Sequence, residues 1–111
     1  MHFCYVVNNN ASVMRATLPA RHLIRKGHQV DLIIVAVEGD DLHIYGGRPE
    51  GLGVWRVTRR WGSPADVRAA LEEISPDVVH ALGTGRATFW PALHYRRKHP
   101  DSVLVTDIDE Q

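Results

Sequence analysis

His80 and Arg86 stand on either side of a Gly83-Thr84-Gly85 turn, where residue types and spacing best suit chemistry. A short apolar run at residues 77–82 (DVVHAL) leads into the turn and an amphipathic segment leaves it. Strand, small-residue turn and helix in that order put backbone N–H groups at the carboxyl end of a parallel strand, where open α/β sheets bind ligands. A neutral His80 imidazole there could hydrogen-bond a hydroxyl, and Arg86 could hold an anionic group at the start of the helix. The competing readings are a histidine at the core edge bonded to backbone and a solvated first-turn arginine. The glycine turn is only part of a phosphate cradle. Thr88 stands where the dinucleotide fingerprint has its third glycine, and no Lys-Ser/Thr follows to make a P-loop.

Other groups also have types that suit chemistry. Asp107 and Asp109 alternate onto one side of an acidic end (DIDE), a pairing that suits a metal but equally a solvated terminus. Trp55, Trp61 and Trp90 suit either stacking on a ring or packing. Ser12, Ser63, Ser75 and Ser102 all read as caps or turns, and no G-x-S-x-G is present. Seven histidines are scattered, and the closest pairs, His22/His28 and His94/His99, lack the i, i+4 spacing of a helical zinc site. No catalytic residue and no metal ligand is assigned. The lone Cys4 excludes an internal disulfide and reads as a small buried hydrophobe.

Thirteen basic and thirteen acidic side chains leave no electrostatic footprint for nucleic acid. No apolar run approaches the ~20 residues of a membrane span. With no signal-peptide pattern either, the expected location is cytoplasmic. A length of 111 residues allows one domain with one core.

The elements that must position the turn follow from periodicity. His2–Val7 (HFCYVV) and residues 30–37 (VDLIIVAV) read as strands buried on both faces. Between them, residues 13–26 carry helical periodicity, with Ser12 as N-cap and Gly27 as C-cap. Pro19 requires either a kink or a regular part beginning near Leu18. Residues 38–53, with five glycines, form a long loop with room for a short strand at residues 42–45. A third strand at residues 54–58 and a helix capped by Ser63 and ended by Ser75-Pro76 follow. Residues 77–82 are the fourth strand. A helix then follows with Thr88 as N-cap and Pro91 in its first turn, and Val103–Asp107 is the fifth strand. This alternation predicts an α/β, Rossmann-like doubly wound parallel sheet of about five strands, order 3-2-1-4-5, in three α/β/α layers. Within these 111 residues no helix follows strand five to cover its edge, which is expected to pair with another chain or to lower solubility.

The pattern R-x-x-L-P-A-x-x-L-x-x-x-G-H-x-V at Arg15 to Val30, with SPDVVHALG at Ser75 to Gly83, resembles the family 4-like N-terminal domain of GT-B-fold glycosyltransferases. The terminal VLVTDIDE is similar to that family's following strand. The resemblance spans nearly the whole chain and only the first part of the family's architecture. It implies an acceptor-side domain facing a donor-binding C-terminal domain that lies outside these 111 residues. It also implies sugar transfer from a nucleotide-sugar without an essential metal, and inactivity of this half alone. On these terms Asn9, Asn10, Ser12, His80, Gly83, Thr84, Gly85 and Arg86 face the cleft. Asn9 and Asn10 replace the family's frequent glycine pair, and Leu82 stands where a second histidine is common. Two other readings stay open: a non-catalytic, flavodoxin-like binding module, and a small nucleotide-cofactor enzyme using the Gly83–Arg86 turn.

Overall fold

A computed structural model of the chain describes residues 1–37, 42–44, 46–59, 65–83 and 85–107. The central strand, β1 (His2–Val7), lies between β2 (Gln29–Val37) and β4 (Val78–Leu82). Outside them lie β3 (Leu52–Arg59), paired with β2, and β5 (Val103–Asp107), paired with β4. Every pairing is parallel, and the order β3-β2-β1-β4-β5 is the doubly wound one that the alternation predicts.

Helix α1 (Asn10–Arg25) covers one face, while α2 (Ala65–Ile74) and α3 (Phe89–Lys98) cover the other. Strand alternation feeds two cores. Cys4, Val6, Ile33, Val35, Val79 and Ala81 pack with Val67, Leu71, Ala92 and Tyr95 of α2 and α3. Tyr5, Val7, Val30, Leu32, Ile34 and Leu82 pack with Val13, Ala16 and Ala20 of α1. This double burial is why β1 and β2 read as unbroken apolar runs.

Local chemistry sets the boundaries, and several differ from the sequence reading. Asn9, not Ser12, caps α1: its Oδ1 accepts the Ser12 N–H at 2.8 Å, which places Ser12 inside the first turn and buries it. Pro19 does not delay the start of the helix to Leu18, since α1 runs from Asn10 through it. Pro19 is exposed, so the carbonyl whose partner it removes lies on the solvated side. At the other end Gly27 (φ +90°) and His28 donate to the Ile24 and Leu23 carbonyls, a Schellman closure that accounts for the Gly-His pair mechanically. Strand β3 begins two residues earlier than residue 54 because Gly53 belongs to it. A Cβ at Gly53 would collide with Asp31 Oδ1, so glycine here makes room for a buried carboxylate rather than marking a loop. No strand forms at residues 42–44; Leu42 and Ile44 instead pack onto the α1-side core, and Tyr45 lies outside the described residues. The Ser63 cap and Trp61 also lie outside them.

The Ser75-Pro76-Asp77 segment knots the amino edge of the sheet. Ser75 turns with φ 54°, and the Pro76 carbonyl accepts the Tyr95 hydroxyl at 3.0 Å. The Asp77 backbone donates to His2 and accepts from Val103, while its side chain accepts the His2 N–H at 2.9 Å. β5 forms an edge of the sheet, and Val103 and Val105 remain 50% and 39% exposed on the α1 side.

Candidate functional site

In this strand order the chain reverses its direction of growth between β1 and β4, so the crevice at their carboxyl ends is the switch point. His80 points to the α1 side of β4, beside the Tyr5 ring of β1, with ring centroids 5.2 Å apart and planes tilted 33°. Val105 of β5 is its register partner on the other side, and one same-face position further along, Leu82 is opposite Asp107. An ion pair between Arg15 of α1 and Asp107 therefore crosses β4 just beyond His80, nearer the carboxyl edge. Both charges act on the imidazole, Asp107 raising its pKa and Arg15 lowering it, but desolvation outweighs them and holds His80 below its ordinary value. It is therefore a neutral ring at pH 7.

Two buried side-chain polar atoms lack a hydrogen-bond partner among the described residues, His80 Nε2 and Thr88 Oγ1. They flank the same turn. A buried polar atom left without a partner costs about 1–3 kcal/mol, so two around one turn mark it as a place where a bound group would restore hydrogen bonds. The expectation that Thr88 caps α3 holds for its position only. Its side chain makes no capping bond and is buried against the turn, 3.5 Å from where a Gly83 Cβ would sit.

No protein-family model matches this chain, no curated protein matches it in sequence, and no solved structure matches it.

The sequence-derived residues divide sharply. His80 and Gly83 do sit at the switch point. Gly83, at φ +105°, satisfies the turn with a conformation other residues adopt only under strain, but its N–H donates to the Asp107 carbonyl at 3.0 Å. That amide is thus unavailable as a ligand cradle. Gly85 and Arg86 are exposed beyond it, and a Cβ on Gly85 would meet open space. Thr84 lies outside the described residues. On the β1 side, the Asn9 side chain caps α1 and Asn10 Oδ1 accepts the His43 N–H at 3.2 Å, so both carbonyl groups serve the fold. Ser12 is buried in the first turn of α1.

Arg15, Tyr5 and Asp107 are what sequence reasoning missed as a set around His80. The available signal was positional: Tyr5 and Asp107 fall toward the carboxyl ends of β1 and β5, and Arg15 in the amino-terminal half of α1, which leaves the sheet from that same edge. Asp107, weighed as half of a carboxylate pair, is instead the partner of Arg15; Asp109 lies outside the described residues. No group of three potential metal-binding side chains occurs among the described residues, and none of their helices is long and apolar enough to cross a membrane.

Proposed function

We propose that this chain is the acceptor-side half of a GT-B-type glycosyltransferase, with His80 as the group that receives the acceptor hydroxyl. The observation that carries the proposal is the buried, partnerless Nε2 of a neutral, half-buried imidazole at the switch point. In the neutral ring that nitrogen either accepts the hydroxyl proton or, in the other tautomer, donates to the hydroxyl oxygen. Because the Arg15–Asp107 pair crosses above it, an acceptor reaches Nε2 by opening that pair. Exposed ion pairs contribute only about 0–1 kcal/mol, so opening is inexpensive.

Transfer also needs a wall that holds the nucleotide-sugar and stabilises charge at the reacting carbon. We assign that role to a donor-side domain or another chain, with the β5 edge and its exposed valines as the nearest surface for contact. The Gly83–Arg86 turn is a weaker candidate for a nucleotide because the Gly83 amide is already bonded within the protein.

The test is a titration of the purified chain with a panel of glycosides, nucleotide-sugars and dinucleotides, followed by NMR of the His80 ring. Glycosides are expected to shift the His80 and Arg15 side-chain signals, with nucleotide-sugars silent and no sugar transfer. Turnover by this chain alone would overturn the assignment to one wall. Dinucleotide shifts centred on Gly83 to Arg86 would favour the cofactor-enzyme reading, and silence across the panel would refute the sugar site.

A further inference from the structure

A second candidate binding surface lies on the opposite face, between α2 and α3. Residues 90, 93, 94 and 97 recur at helical spacing, so Trp90, Leu93, His94 and Arg97 form one stripe of α3. With Arg68 of α2 they enclose a groove of about 190 Å³. The stripe is opposite the buried side of α3, where Pro91, Ala92 and Tyr95 pack into the core. It is thus not required to hold the helix on the sheet.

The groove has an unusual charge balance for a chain with thirteen positive and thirteen negative side chains. Three nitrogen-bearing basic side chains line it, and among the described residues no carboxylate does. Arg68, His94 and Arg97 have neither an ion pair nor a side-chain hydrogen bond among the described residues. Glu72, one turn along α2 from Arg68, is bound elsewhere, to His99 at 2.8 Å and to Lys98 at 3.6 Å. Two arginines facing one groove without a counter-charge repel each other, and an anion between them converts that repulsion into two charge-assisted contacts.

The apolar part of the groove narrows the ligand class. Trp90 is 52% exposed although it is the largest side chain on the stripe. Phe89 meets it edge-on, with centroids 5.9 Å apart and planes at 71°, which fixes the orientation of the indole. Leu93 supplies an apolar floor beside it. A fixed aromatic surface next to paired guanidinium groups suits a phosphate carried on a flat ring. The small volume admits one such group rather than several side chains of a peptide.

We propose that the α2–α3 groove binds a phosphomonoester of the mononucleotide class, with the phosphate held by Arg68 and Arg97 and the base against Trp90. This site is separate from the His80 crevice and does not depend on the sugar-transfer reading.

The experiment is an amide and indole NMR titration of the whole chain at low salt with AMP, adenosine and inorganic phosphate in parallel. The Trp90 indole signal is assigned by its loss in Trp90→Phe. AMP is expected to shift that signal and to bind more tightly than either of its parts. Arg68→Gln and Arg97→Gln are each expected to weaken AMP about tenfold or more, and His80→Leu to leave it unchanged. Undisturbed core amide signals in each variant serve as the control for folding. A Trp90 indole indifferent to millimolar AMP would overturn the proposal. So would equal binding of adenosine and AMP, or AMP binding unaffected by loss of both arginines. Tighter binding of an acidic peptide than of AMP would reassign the groove to a protein partner and also overturn it.

Discussion

Replacing His80 with leucine should make the protein more stable while removing its proposed contact with an acceptor. The Nε2 atom is buried without a partner, a condition costing about 1–3 kcal/mol, and leucine has no such atom. The loss of the Tyr5 ring contact, worth about 0.5–1.5 kcal/mol, offsets part of that gain. The expected net stabilisation at pH 8 is about 1 kcal/mol, or roughly 4 °C in Tm for a domain of this size. The pH dependence sharpens the test. Burial lowers the native pKa of His80 from its ordinary value of 6.5, so on acidification the unfolded chain takes up this proton first. The wild type therefore has the full contribution of a neutral His80 above about pH 6.5 and loses it as pH falls through the lowered native value. His80→Leu lacks that loss, and its advantage should be larger at pH 5 than at pH 8. Urea unfolding of both proteins at the two pH values measures the difference directly. A variant less stable than wild type at pH 8, or an advantage independent of pH, would show that the nitrogen is not orphaned in the folded protein.

Three further outcomes follow from other parts of the molecule. Gly53→Ala should displace the Asp31 carboxylate from its bonds to His2 Nε2 (2.5 Å) and Trp55 Nε1 (3.1 Å), costing about 3 kcal/mol in denaturant unfolding. The same change in an Asp31→Ala background should cost under about 0.5 kcal/mol, and equal costs in both would sink the steric account. Asn9→Ala removes the cap of α1 and should lower stability by about 1 kcal/mol, with Ser12→Ala showing no comparable capping loss in helix content by circular dichroism. Cys4 is fully buried, and desolvation first and the Asp31 charge second push its thiol pKa up. It should resist a thiol reagent at pH 8 until the chain unfolds, and rapid labelling of native protein would contradict that.

The sheet was legible because its signals are local and repeated. Apolar runs, Gly27 and Ser75-Pro76 each report on a few neighbouring residues, and together they yield the strand order. Gly53 was misread because its reason lies across the sheet: a single letter does not show that Asp31 occupies the space its side chain would need. Asn9 and Ser12 were confused because both are good caps, and only the backbone geometry separates them (φ −154° at Asn9). That α1 begins well before Pro19 was not legible because the sequence does not reveal that Pro19 faces water. At the site, His80 stood out by its place at the end of an apolar strand. The Arg15–Asp107 pair did not, since its members are 92 residues apart and meet only through the tertiary fold.

The Asp77 knot bears on the order in which the molecule is assembled. It joins residues 75 apart, His2 and Asp77, at the amino edge where β1 meets β4. Because every ladder in the sheet is parallel, no strand can pair with its sequence neighbour through a tight hairpin, and each pairing must close a long loop. On the ribosome β1 emerges before β4 and keeps one edge unpaired until β4 and the segment before it have been made. During that interval HFCYVV is an exposed apolar strand, and the exposure lasts as long as it takes to synthesise the intervening residues. The knot ends it by clamping His2 and Val103 to the same aspartate, so β1 depends for its completion on segments made after it.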